Sequence, residues 1–259
     1  MPVTDAATFV GGYPFRHVDG RPDRLLRQMD RLRIERAWVG HLPSFLYKDP
    51  GPGNAALGRL VAPHRDRMFP VPTIHPALPH WEDDLLRARD ARSPAIRLYP
   101  QHHGGRDAAA AAARKAAELK LPVVLTMRHE DVRQRHPLDV AAELTAADVR
   151  FLARRAPGAK LLVTQVDRGF VEEVHFGLTP AEAARLLWDI SCIWGPPEDH
   201  LALLLETVGA ERFCFGTGMP LRIPDAVFAK LDLLDGDGEA ARAILSENLE
   251  GWCRGWQTT

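Results

Sequence analysis

Eight short apolar runs, each followed by a stretch with helical spacing, constrain this 259-residue chain more than any other feature. The runs are Val3–Phe9, Arg36–His41, Met68–His75, Ala95–Tyr99, Pro122–Met127, Lys160–Gln165, Leu186–Ser191 and Arg212–Thr217. Their length and β-branched content read as buried strands. Between them, "RPDRLLRQMDRLRI" puts Leu25, Leu26, Met29 and Leu32 on one face and charges on the other. "DAAAAAARKAAELKL" is a strong helix former. "TAADVRFLARRAP" starts on Thr145 as an N-cap and stops before Pro157. "TPAEAARLL" opens on Thr179 with Pro180 in the first helical position. "PEDHLALLLETVG" and "DGEAARAILSENLEGW" complete the helical set. The alternation predicts an α/β chain folded as a single (β/α)8 TIM barrel, with residues 1–259 in one domain. The alternative is an open doubly wound sheet, which usually carries a glycine-rich phosphate turn absent here. One irregular stretch, "HLPSFLYKDPGPGN" from His41 to Asn54, follows the second strand. On a barrel it would lie at the C-terminal face and could cover a site there.

Charge and cysteine usage exclude several classes. The net charge of -1 gives no electrostatic reason to expect nucleic acid or an anionic membrane as partner. No apolar run reaches the roughly 20 residues that span a bilayer. Cys192, Cys214 and Cys253 are far apart and form no CxxC, which argues against a disulfide framework or a cysteine zinc site. A reducing cytoplasm is the expected location. The start of the chain lacks a basic segment leading into an apolar core, so no signal peptide is expected.

The last third carries a more specific signal. "GAERFCFGTGMP" followed by "AILSENLEGW" resembles the C-terminal pattern of the amidohydrolase-related family, which includes aminocarboxymuconate-semialdehyde decarboxylase and 2-pyrone-4,6-dicarboxylate lactonase. "DAATFVGGYPFR", "AIRLYP", "LPVVLTMR" and "APGAKLLVTQVDRG" resemble its first-, fourth-, fifth- and sixth-strand segments in the same order. The resemblance implies a TIM barrel with hydrolase or lyase chemistry. It also implies where a metal site would fall: the first-strand histidines on Ala7 and Phe9, the fifth-strand ligand on Thr126, the sixth-strand histidine on Gln165 and the eighth-strand aspartate on Gly218. None of these is a usual zinc ligand. The expectation is therefore a branch without the metal and with no cofactor. Homodimerisation is compatible with the resemblance, and no sequence feature indicates it.

What remains at the strand ends suggests an anion site. Arg97 and Tyr99 end the fourth strand, and an arginine there can clamp a carboxylate. "MRHEDVRQRHP" after the fifth strand carries Arg128, His129, Asp131 and His136. Histidine with carboxylate can move protons near neutral pH. The expected substrate-binding residues are Arg97, Tyr99, Arg128, Gln165 and Thr217, and the proton-moving candidates are Asp189, Asp131 and His136. A run of this kind is usually a solvated face, and the plainer reading of Asp189 is a buried acid paired with a basic neighbour such as Arg97 or capping a backbone amide. Gly218 could mark a lost acid or a space cleared for a substrate group. The leading expectation is a metal-independent hydrolase or lyase acting on a small carboxylate-bearing molecule. A catalytically inactive barrel binding an anion or a partner protein is the second reading. A metal-dependent hydrolase using His41, His75 or His129 is the third.

Overall fold

The computed structural model describes residues 2–137, 139, 140, 143–234 and 238–256. Eight parallel strands are present: β1 (Thr4–Val10), β2 (Arg36–His41), β3 (Met68–Pro70), β4 (Ile96–Leu98), β5 (Val123–Thr126), β6 (Leu161–Thr164), β7 (Leu186–Asp189) and β8 (Phe213–Cys214). They form two regular stretches, β1-β2-β3 and β4-β5-β6-β7-β8. Backbone hydrogen bonds join the two. Arg97 N donates to Pro72 O at 2.8 Å and Ile74 N to Arg97 O at 2.9 Å, linking β3 to β4. Ala6 N donates to Phe215 O at 3.0 Å, Gly218 N to Ala7 O at 2.9 Å and Phe9 N to Met219 O at 2.8 Å, linking β8 to β1. The sheet therefore closes on itself as a (β/α)8 barrel.

β3 to β8 are each shorter than their apolar runs, and the third and eighth are shortened most, for identifiable reasons. In the third, Pro70 and Pro72 have no N–H to give to a ladder. In the eighth, Phe215 N turns to Ile244 O at 2.9 Å and Thr217 N to the Asp5 carboxylate at 3.0 Å. The outer layer is helical: α1 (Pro22–Leu32), α2 (Gly51–Val61), α3 (Trp81–Asp90), α4 (Gly105–Glu118), α5 (Ala146–Arg155), α6 (Arg168–His175), α7 (Pro180–Ala183), α8 (His200–Leu204), α9 (Asp225–Asp232), α10 (Glu239–Arg242) and α11 (Asn248–Cys253). Thr145 and Thr179 both cap their helices through reciprocal boxes, with Asp148 and Glu182 as partners. The expected helix over 237–252 is divided by a π-helical turn at Ala243–Glu247, and its first residue lies outside the described residues. One continuous apolar layer between strands and helices, including Met29, Leu98, Val123, Leu161 and Phe213, holds the barrel together.

Candidate functional site

The C-terminal mouth of the barrel is built around a buried arginine. Arg97 leaves the middle of β4 with its side chain inside the barrel and is 0% exposed. Its Nη1 donates to Thr126 Oγ1 at 2.6 Å, and its guanidinium lies 4.5 Å from the centre of the Phe9 ring. Gly40 on β2 makes room for both: a Cβ there would stand 3.2 Å from Arg97 Nε and 3.0 Å from Phe9 Cδ1. Burial pulls the Arg97 pKa down, yet a guanidinium keeps its charge. Nε and Nη2, the edge that grips a carboxylate side-on, make no hydrogen bond among the described residues.

Other buried polar groups share this condition. Tyr99 interacts electrostatically with Arg97, but its hydroxyl makes no hydrogen bond of good geometry. His129 is buried among Phe9, Phe45 and Tyr99, with ring centres at 5.3, 4.4 and 5.5 Å, and neither ring nitrogen has a partner. Burial first, then the charge of Arg97, drives its pKa well below the usual value and keeps it neutral. Gln101 Oε1 is also unpartnered. Over them sits the segment expected to cover a site, as a 3-10 turn at Leu42–Leu46 whose Phe45 faces Tyr99 and His129. His41 Nδ1 and Ser44 Oγ, 2.9 Å apart, brace this turn, and Gly53 of α2 lies beneath Ser44 without side-chain bulk.

Below the arginine, two acids hold the backbone. Asp189 accepts from Gln165 N at 2.5 Å and Ser191 N at 3.2 Å. These bonds pin Gln165 at φ 59. Burial raises the Asp189 pKa. Asp5 accepts from Ala7 N at 3.0 Å, Thr217 N at 3.0 Å and Thr217 Oγ1 at 2.5 Å. Burial pushes its pKa up to about 6, against those bonds.

The structure separates the residues expected to form one site. Arg97 and Tyr99 come together in the mouth. Arg128 faces an outer cleft instead and pairs with Asp167 at 2.9 Å and Glu143 at 3.4 Å. Asp131 lies on the same cleft, bound to Arg133 at 2.9 Å, which holds its carboxyl far below the usual range and unsuited to proton transfer near neutrality. His136 stacks on Phe15, with ring centres 5.2 Å apart. Gln165 turns its amide nitrogen to the carbonyls of Arg128 and His129 at 2.9 and 3.2 Å and so ties down the loop after β5. Thr217 is committed to Asp5. Asp189 is the buried amide-capping acid of the plainer reading.

Gly218 is not an open space. Its φ is +71, and a Cβ would meet Arg222 Cγ at 2.7 Å, so the Arg222 stem lies across it. Arg222, Asp5 and Lys230 went unnoticed in the sequence. Arg222 lies four residues past the strand-ending motif, and a basic residue in such a loop gives no sign of where it points.

The positions where the resemblance puts metal ligands can be tested for fit. Ala7, Phe9 and Gly218 offer no donor, Thr126 holds Arg97, and Gln165 faces backbone carbonyls. A guanidinium among them repels a further cation. Among the described residues no three His, Cys, Asp or Glu side chains converge. His41 is engaged with Ser44, His75 stacks on His103 at 4.5 Å, and His129 stands apart in its aromatic cage. This donor set does not fit a divalent metal.

The fold and mouth thus define a closed parallel barrel with a buried arginine at its active face. No family model and no curated protein matches the chain. Solved structures do. A 2,6-dihydroxybenzoate decarboxylase complexed with 2,6-dihydroxybenzoate superposes with a TM-score of 0.72 at 14% identity, covering 98% of this chain and 99% of the other. A dihydroxybenzoic acid decarboxylase from Polaromonas sp. JS666, with bound manganese and 2-nitroresorcinol, gives 0.70 at 13% identity, covering 98% and 97%. An amidohydrolase II gives 0.71 at 13% identity, covering 97% and 99%. The chain has the fold of the amidohydrolase-related TIM barrels, as its strand-end motifs implied.

Proposed function

We propose that this protein is an amidohydrolase-type enzyme, a hydrolase or lyase, that binds a small carboxylate-bearing substrate on Arg97 without a metal ion. The observation that carries this reading is a fully buried guanidinium whose carboxylate-gripping edge makes no hydrogen bond of good geometry among the described residues, although the Tyr99 hydroxyl interacts with it. Buried polar groups are nearly always hydrogen-bonded, and an unmet one costs about 1–3 kcal/mol, more when charged. A carboxylate placed against Nε and Nη2 would satisfy both, with Tyr99 and neutral His129 beside it to hydrogen-bond the rest of the molecule. The solved structures of like fold include decarboxylases of dihydroxybenzoate and 5-carboxyvanillate, three of them holding manganese. In this chain a fixed organic cation stands among the positions that would hold the ion. The Phe45 turn must lift for a ligand to enter and would exclude water once closed.

Benzoate titration of the wild type and of Arg97→Met tests this. Saturable binding by the wild type, lost in a folded Arg97→Met protein, is the expected result, followed by a screen of arenecarboxylates for carbon dioxide release and of esters and lactones for hydrolysis. Equal benzoate binding by both proteins would remove Arg97 from the site. A second reading, binding without turnover, is favoured by the burial of Phe9, Tyr99 and Met219, which leaves little open space in the mouth. Binding with no turnover across the screen would support it.

A further inference from the structure

The cleft beside the barrel mouth holds a cation that no part of the described chain neutralises. The cleft has a volume of about 740 Å³ and is lined by Arg128, Ser191, Cys192, Trp194, Arg222 and Lys230 among others. Its other cations are committed. Arg128 is held by Asp167 and Glu143. Arg168, also on the wall, binds Glu172 at 2.7 Å. Lys230 gives its Nζ protons to the carbonyls of Ile190, Ser191 and Ile193 at 2.6, 3.3 and 2.7 Å. On the acidic side, Asp131 and Asp167 are paired, and Glu198 is exposed on the rim. The Arg222 side chain makes no hydrogen bond or ion pair among the described residues, although its Nε is buried.

Local geometry fixes this arginine. Leu221 N and Arg222 N both donate to Gly218 O, at 3.0 and 3.2 Å, in a turn that lays the Arg222 stem over the bare Cα of Gly218. The Arg222 stem thereby lies beside Ser191, whose Cβ is 3.7 Å from where a Gly218 Cβ would stand, and the side chain lines this cleft as well as the neighbouring one beside Gly20 and Asp225. Its field also reaches inward, adding to the charges that keep His129 neutral.

We propose that Arg222 anchors an oxyanion-binding site in this cleft, distinct from the carboxylate position proposed at Arg97, for a carboxylate, sulfate or phosphate group. A forked, half-desolvated guanidinium without a counter-charge suits an ion of this shape. The oxyanion belongs either to a free anion or to a second charged group on the Arg97 ligand. Only the latter assignment rests on the proposed function.

Sulfate titration at constant ionic strength, read by thermal shift and Trp fluorescence, tests the site on the full chain. The wild type should show saturable stabilisation. Arg222→Met should weaken sulfate by about tenfold or more, the loss of one charged hydrogen-bonding partner. Arg222→Lys should fall between, and Arg97→Met should leave the sulfate midpoint in place. An absent sulfate effect, or a midpoint unmoved by Arg222→Met in a protein with native circular dichroism, overturns the proposal. Isophthalate and benzoate then distinguish the sources. Tighter isophthalate binding in the wild type, lost in Arg222→Met, assigns both anionic groups to one ligand. Equal affinities with sulfate binding retained assign the cleft to a separate anion. Failure of benzoate to depend on Arg97 removes the proposed function and leaves the sulfate result standing.

Discussion

Restoring an acid at the end of the eighth strand should destabilise this protein rather than repair it. In Gly218→Asp the new residue must adopt a φ near +71, where L-residues pay roughly 1–2 kcal/mol, with Asp at the lower end. Its Cβ would stand 2.7 Å from Arg222 Cγ and 3.3 Å from Arg222 Cβ, so the arginine stem must move. Such overpacking costs about 1–3 kcal/mol. An ion pair between the new carboxylate and the displaced Arg222 returns at most about 1 kcal/mol. The net loss is about 1–4 kcal/mol, or roughly 2–16 °C in Tm for a domain of this size. Urea denaturation of wild type, Gly218→Asp and Gly218→Ala measures it. Gly218→Ala should lose at least as much, because the backbone and the Cβ contact cause the loss and no ion pair offsets it. A Gly218→Asp protein as stable as the wild type, and newly able to bind manganese, would refute the reasoning.

Gly53→Ala should disturb the covering turn, since its Cβ would fall 2.1 Å from Ser44 Oγ and 2.9 Å from His41 Nδ1. Hydrogen exchange should quicken over Leu42–Leu46 with a stability loss of about 1–3 kcal/mol, and unchanged exchange there would show that Gly53 does not seat the turn. Asp5, with its folded pKa raised from 3.8 to about 6, binds more protons folded than unfolded between those values. Wild-type stability should therefore fall from pH 4 to 6 relative to Asp5→Asn by up to about 3 kcal/mol, read from paired denaturation curves. His103 acts oppositely: burial lowers its pKa to about 4, so stability is lost as pH falls from 6.5 towards 4, and His103→Gln should flatten that loss. Thr145→Ala should cost about 1 kcal/mol through its capping box, measured by thermal denaturation.

The barrel was legible in the sequence because apolar runs and helical periods repeat on a scale that local patterns record. Arg36–His41 matched its strand to the residue, and Thr145 announced its helix through a capping box with Asp148. The covering segment was legible in part: an irregular stretch from His41 to Asn54 was expected to be able to cover the face, and Leu42–Leu46 lie there, while residues 51–54 instead open α2. The site was half legible. Arg97 and Tyr99 follow the strand period and point where that period sends them. Arg128, Asp131 and His136 do not: tertiary contacts with Asp167 and Phe15 place Arg128 and His136, and Asp131 pairs locally with Arg133 two residues on. Gly218 carried a readable departure without its cause, since only the fold shows the Arg222 stem lying across it.

The central claim is that Arg97, and not a metal ion, supplies the positive charge that receives the substrate. The most direct measurement is benzoate titration of protein stripped with chelator and verified metal-free by elemental analysis, repeated after adding one equivalent of manganese. The account predicts saturable binding in the stripped protein with an affinity that manganese leaves unchanged. Binding that appears only once manganese is restored would contradict it.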